Sequence, residues 1–196
     1  MQNIIIICIS VIMAVANIAF IVTRIDRKKL VFSAMSIITV EICCVGCIIN
    51  NITGIYPIFT MVLTACLNLV AIYDIKTKFI PNILLLALNT IGLLSSFFVP
   101  DGFFLKTLVG AWCITGLCFI VGRKTKGGIG SGDLFCMSGL MMSMNFGGMM
   151  NFMFTTLFLG VIYSIATLIS KKTTLKTEIP FAPFMLAGYL CMILFI

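Results

Sequence analysis

Residues 55–82 read IYPIFTMVLTACLNLVAIYDIKTKFIPN. An apolar run from Ile55 to Tyr73 ends at Asp74, a loop with Lys76 and Lys78 follows, and Pro81 opens the next apolar run. Crossing a bilayer takes roughly 20 apolar residues, and this run is long enough. It lacks the two-residue alternation of a barrel strand, and backbone in lipid must pair internally, so a helix is predicted. Pro81 suits the first turn of the helix that follows, where its missing N–H costs nothing. Asp74 thus stands where an apolar helix meets a basic loop.

The same pattern repeats in both directions. Upstream, spans are predicted over 4–22 and 30–49, with Arg24, Arg27, Lys28 and Lys29 between them and an uncharged turn at 50–54. Downstream, spans are predicted over 82–98, 103–121, a short one over 133–144, one over 149–170, and a last run reaching Ile196. The short helix rises about 18 Å at 1.5 Å per residue, so either flanking residues extend it or its start is recessed. The chain is 196 residues long, 61% hydrophobic and 10% charged, which lies outside the soluble range. The fold class expected is therefore all-α, a polytopic membrane helix bundle of about eight transmembrane helices. It is treated as one membrane domain, 1–196, with two N-terminal spans (1–50) ahead of a core at 55–196.

Charge placement orients the bundle. Except for Lys106, every Lys and Arg falls in the loops after the first, third, fifth and seventh spans. Those loops share one side if every span crosses, which predicts a cytoplasmic basic side and both termini outside. Ala14-Val15-Ala16 has the look of a signal-peptidase site, but no basic region precedes the span, so an uncleaved anchor is expected. The net charge of +7 resides in these loops, with no basic face interleaved with aromatics, which argues against nucleic acid. Histidine is absent, removing the commonest metal ligand. The nine cysteines are scattered through apolar runs, and the one CxxC, Cys44 to Cys47, lies mid-span, so small buried hydrophobes are expected and no metal.

Acidic residues number only six, so a second carboxylate at the same membrane edge stands out. It is Asp133, at the end of Gly130-Ser131-Gly132-Asp133 and the start of the short helix. Two close carboxyls cannot both ionise cheaply, so one keeps a proton while the other stays charged. Such a pair can activate water and protonate a departing amide nitrogen; which residue does which is undecided, because the pair titrates as a unit. Gly130 and Gly132 offer backbone conformations closed to other residues and close approach of a neighbour. The plainer readings are a helix cap for Asp133 and a solvated loop acid for Asp74. Glu41 lies mid-span; a neutral acid bonded within the bundle, to Asn17 or Asn68, is preferred to a substrate contact.

Asp74 followed by Ile80-Pro81-Asn82, then Gly130-x-Gly132-Asp133, then Ile179-Pro180-Phe181-Ala182-Pro183 before a final span, resembles the type IV prepilin peptidases over residues 55 to 196. The resemblance implies a membrane aspartic endopeptidase that removes a short leader from prepilin-like proteins on the cytoplasmic side. It makes Asp74 and Asp133 the catalytic pair. Gly130, Gly132, Pro81, Asn82, Pro180 and Pro183 become substrate-binding or site-shaping residues. No metal or organic cofactor is implied; the partners are prepilin-like substrates and the lipid bilayer. Larger members carry a cytoplasmic domain with paired CxxC motifs between the first two spans, linked to N-methylation. Here Thr23 to Lys29 fills that place without cysteine, so peptidase activity alone is expected. Two rivals remain: a presenilin or signal-peptide-peptidase type of protease, similar in Tyr73-Asp74 and Gly130-x-Gly132-Asp133, and a small ion-coupled transporter.

Overall fold

The computed structural model describes residues 30–50, 54–99, 104–124, 130–170 and 179–195, with backbone alone for 30–36. The span expected over 4–22, and the basic loops at 23–29 and 171–176, lie outside the described residues. Among those described are seven helices and no strand. They are α1 Leu30–Ile49, α2 Tyr56–Thr77, α3 Asn82–Ser95, α4 Phe104–Lys124, α5 Ser131–Met141, α6 Phe146–Ile169 and α7 Ala182–Phe195. The chain is an all-helical bundle, and α2, α4 and α6 are each long and apolar enough to cross a membrane.

Burial divides these helices into a centre and a periphery. α2 touches α1, α3 and α7, and α5 sits against α3, α4 and α7. On α5 every residue from Leu134 to Met141 is buried except Phe135. α4 buries only Thr107 and Ala111, while α6 buries a stripe at Gly148, Met149, Phe152 and Thr156 that faces inward. Their remaining faces are exposed hydrophobics, including Trp112, Leu117, Phe154 and Ile169, as lipid contact requires. The core is rich in methionine, with Met61, Met137, Met141, Met144, Met149 and Met185 all nearly inaccessible. Unbranched thioether chains adapt to the irregular gaps between packed helices.

The shortness of α5 follows from where it ends. Its eleven residues rise about 16 Å, and the chain then turns through the buried residues Met142, Ser143 and Met144. A helix end buried in this way needs partners for its carbonyls. Tyr56 Oη, at the start of α2, donates to the Ser143 carbonyl at 2.6 Å. Asn145 then caps α6, its side chain accepting from Gly148 N at 2.8 Å. Helix plus buried turn together reach from the Asp74 end of α2 to its Tyr56 end. Tyr56→Phe removes the donor and leaves a buried carbonyl short of a partner. A loss of about 1 kcal/mol is expected, read from unfolding midpoints in detergent.

Two boundaries differ from those read off the sequence. The run that appeared to end at Tyr73 continues as helix to Thr77, so Asp74 lies within the last turn of α2 rather than at its very end. Lys78 stops the helix by adopting the left-handed conformation (φ 53°), and its N–H donates to the Asp74 carbonyl at 2.9 Å. Thr77 Oγ1 bonds to the carbonyls of Tyr73 and Phe79, both at 2.9 Å, and tightens the same turn. The short helix begins two residues earlier than expected, at Ser131, which makes Gly130 its N-cap and puts Asp133 at the third helical position.

Candidate active site

Asp74 and Asp133 come together from the ends of two different helices. The carboxyls are close enough for the Asp74 charge to act on Asp133. Cys136, one turn beyond Asp133 and fully buried, is within electrostatic reach of both acids. Asp74 is only 6% exposed, so it is not a solvated loop acid. Its Oδ2 accepts from Ala182 N at 2.9 Å, the first N–H of α7. That N–H is one of the four that a helix start leaves without intrahelical partners. The carboxylate of α2 thus closes the N-terminus of α7 across 108 positions of sequence.

Asp133 is held differently. Its carboxyl bonds back to the Gly130 backbone, the reciprocal half of a capping box, in which the third helical residue serves the N-cap N–H. One oxygen, Oδ1, is buried with no hydrogen-bond partner. Capping therefore occupies part of this carboxyl and leaves the rest uncommitted, within electrostatic reach of a second acid.

The glycines act through space rather than through backbone freedom. Gly130 has φ −59° and ψ 146°, open to any residue, and Gly54 is the sole glycine of positive φ among the described residues. The expectation of unusual conformations at Gly130 and Gly132 is thus corrected. A Cβ on Gly130 would stand 3.2 Å from Asp133 Oδ2, crowding the capping carboxyl. Gly132 faces Ile80, whose Cδ1 would lie 3.7 Å from a Cβ there. Ile80, 7% exposed, is the member of Ile80-Pro81-Asn82 that packs against the Gly130–Asp133 segment. Pro81 is the N-cap of α3 in extended conformation, and its carbonyl accepts from Leu84 N and Leu85 N. Asn82 is exposed at the first turn of α3. Pro180 and Pro183 are half-buried at the start of α7, where the direct link to Asp74 is made by the Ala182 N–H between them.

A second polar cluster joins the helices that follow the two acids. Asn89 Nδ2 on α3 donates to its own Leu85 carbonyl at 2.9 Å and to the Phe135 carbonyl of α5 at 3.0 Å. Ser138 Oγ meets Asn89 Oδ1 at 2.9 Å. Next to this lies the closest approach of the two helices, where a Cβ on Gly92 would overlap the Gly139 carbonyl. Asn89 was not singled out from sequence, although an amide inside an apolar run signals a partner on another helix. It registers α5, and with it Asp133, against the helix that leaves the Asp74 turn. Asn89→Leu keeps the volume and removes the bonds. A fall in kcat of roughly ten- to a hundredfold is expected with KM little changed, as for a displaced reacting group. Steady-state kinetics on one peptide substrate separates the two constants.

Among the described residues no three His, Cys, Asp or Glu side chains gather as a metal site. Cys44 and Cys47 are buried in α1, with Cys47 Sγ 3.4 Å from Thr60 Oγ1 of α2. Asn68 donates to Thr39 Oγ1, a polar link between α1 and α2 a few residues from the half-buried Glu41.

These helices and their apolar outer faces define a membrane protein of the helix-bundle class. It belongs to the type IV leader peptidase family, whose model matches residues 61–165, and it is a peptidase by that membership. The matched stretch takes in Asp74, Ile80 to Asn82 and Gly130 to Asp133, and stops short of Ile179 to Pro183. No curated protein and no solved structure matches the chain.

Proposed function

We propose that the chain is a membrane aspartic endopeptidase that removes the short leader from prepilin-like proteins, with Asp74 and Asp133 as the catalytic pair. The observation that carries this reading is the meeting of two acids from separate helices, one of them with an unpartnered buried oxygen. One carboxyl takes a proton from a water molecule, which attacks the scissile carbonyl, and the other gives a proton to the departing amide nitrogen. Desolvation strengthens both steps by removing competing water.

The active site faces the cytoplasm in this reading of a multi-pass cell-membrane protein. Lys76, Lys78, Arg123 and Lys124 stand at the helix ends nearest the acids, as positive charge on the cytoplasmic side would require. Peptidase activity stands alone, since the Thr23 to Lys29 connection has no cysteine-bearing domain for a methyl transfer.

The test is cleavage of a prepilin-like substrate in membranes, with N-terminal sequencing of the product and S-adenosylmethionine present. A cut just before the hydrophobic helix, with an unmethylated product, is expected. A cut inside the helix would favour the presenilin-like rival, and a methylated product would overturn the peptidase-only reading. No cut in several such substrates would turn attention to solute transport, which proteoliposome accumulation assays detect.

A further inference from the structure

Asp74 and Asp133 each serve the start of a helix, so capping alone does not divide their roles. Asp74 Oδ2 accepts from Ala182 N at 2.9 Å, at the start of the fourteen-residue α7. Asp133 serves the Gly130 N–H at the start of its own α5. A helix start carries partial positive charge, and an N–H donated to a carboxylate makes one of the stronger hydrogen bonds. Both contacts therefore favour negative charge.

The remaining oxygens differ. Among the described residues, the buried side-chain oxygens without a partner are Asp133 Oδ1 and Thr156 Oγ1, and Asp74 contributes none. A buried carboxylate oxygen with no donor is costly while charged, and a proton on that carboxyl relieves the cost. Burial by itself would favour the opposite order, because Asp74 is 6% exposed and Asp133 is half-buried. Hydrogen bonding outweighs it, since a bond to a charged group is worth roughly twice a neutral one and an unmade one leaves the atom's whole desolvation uncompensated. The other charged and titratable groups at this end are Tyr73 and Lys76 on α2, Lys78 at its end, Cys136 on α5, and Arg123 and Lys124 on α4. Lys76 leaves α2 about 200° around the axis from Asp74, and Lys78, Arg123 and Lys124 are exposed. Farther along the bundle, α1 carries Glu41 and α7 carries Tyr189 and Cys191, while α3 carries no charged group.

We propose that Asp74 is the base of the pair and Asp133 the acid, with the Ala182 N–H as the positioning group that fixes this order. The proposal rests on the leader-peptidase reading and assigns the two roles that reading leaves open. Asp74 takes a proton from water, whose oxygen bonds to the scissile carbonyl carbon. The C–N bond then breaks, and its electron pair on nitrogen takes the Asp133 proton. Asp74 is left protonated and Asp133 charged, and exchange of one proton, between them or through water, restores the pair.

The test replaces one backbone N–H at a time by an ester oxygen, in the full chain in lipid nanodiscs. Lactic acid stands in for Ala182, glycolic acid for Gly130, and the hydroxy-acid analogue of Leu186 is a control inside α7. Rates on a prepilin-like substrate are followed against pH, where the acidic limb reports the base and the alkaline limb the acid. Losing a donor favours the protonated form, so the affected limb moves to higher pH. The Ala182 ester is expected to move the acidic limb by about one pH unit and to leave the alkaline limb in place. The Gly130 ester should move the alkaline limb alone, and the Leu186 ester neither. An alkaline shift from the Ala182 ester, or equal shifts of both limbs, overturns the assignment. Either ester decides by itself where only one assembles. The same variants are titrated without substrate by infrared difference spectroscopy of the carboxyl C=O band. There the lower step must move with the Ala182 ester and the upper step with the Gly130 ester. Wild type that cuts no prepilin-like substrate, yet shows those infrared shifts, removes the peptidase reading and leaves the order of the two acids standing. Infrared steps that move in the reverse order, or not at all, overturn the proposal whatever the activity.

Discussion

Asparagine at position 133 is expected to lower the cleavage rate roughly 10³-fold or more, with the protein still folded. The amide keeps the size of the carboxyl, and its oxygen can still serve the Gly130 N–H, so the start of α5 survives. What disappears is the capacity to exchange a proton at the buried oxygen that no neighbour holds. Asp74→Asn should cost as much, for the same reason. Its side-chain oxygen can still accept from Ala182 N, so α7 keeps its N-terminal contact. Alanine at position 74 would break that contact as well and confuse structure with chemistry. The double variant should be hardly slower than either single one, because residues acting as a unit do not lose rate additively. Rates are read by single-turnover cleavage, with gel filtration and circular dichroism as the check on folding. Wild-type cleavage by Asp133→Asn would reduce Asp133 to the capping residue of α5.

The spans were legible because apolar runs of span length, punctuated by basic loops, leave few alternatives to helices. The acids were legible for a related reason, since so few carboxylates occur in this chain. The environment of each acid was not. Asp74 was placed at the very end of its helix rather than a turn inside it because the stop signal at Lys78 is a left-handed lysine, with neither glycine nor proline to announce it. Its bond to Ala182 joins helices distant in sequence, and nothing in local pattern foretells a backbone donor. The quoted Ile179 to Pro183 stretch contains the donor, but its prolines drew the attention. For Gly130 the expected rare conformation is absent, and what the structure shows is the other half of that expectation, a close approach, since a Cβ there would crowd Asp133. The short α5 was recognised as short, yet how it ends inside the bundle shows only in the structure, where the N–H groups of Met142, Ser143 and Met144 serve its last carbonyls and Tyr56 serves that of Ser143. Local sequence carries period and punctuation, while contacts between helices depend on rotation and depth, which similar apolar runs do not encode.

Gly92→Leu is expected to damage the fold more than any other single change outside the acids. The Cβ alone would overlap the Gly139 carbonyl, and the reverse contact is as close, with a Cβ on Gly139 standing 3.1 Å from Asn89 N and Cα. These are backbone atoms, so no change of rotamer relieves the clash, and α3 must part from α5. Separation breaks the Asn89 bond to Phe135 and the Ser138 bond to Asn89 together. Overpacking costs about 1–3 kcal/mol, and each bond lost within a bundle adds about 1 kcal/mol. Against a total stability of about 5–15 kcal/mol, that is enough to leave a sizeable fraction of the protein misassembled. Gly116→Ala provides the contrast. Its Cβ meets nothing among the described residues, so stability should be unchanged or raised by up to about 1 kcal/mol through helix propensity. Thermal unfolding of both variants in the same detergent tests the difference. A Gly92→Leu protein that unfolds at the wild-type midpoint would show that α3 and α5 are not in backbone contact, and the registration of Asp133 by Asn89 would fall with it.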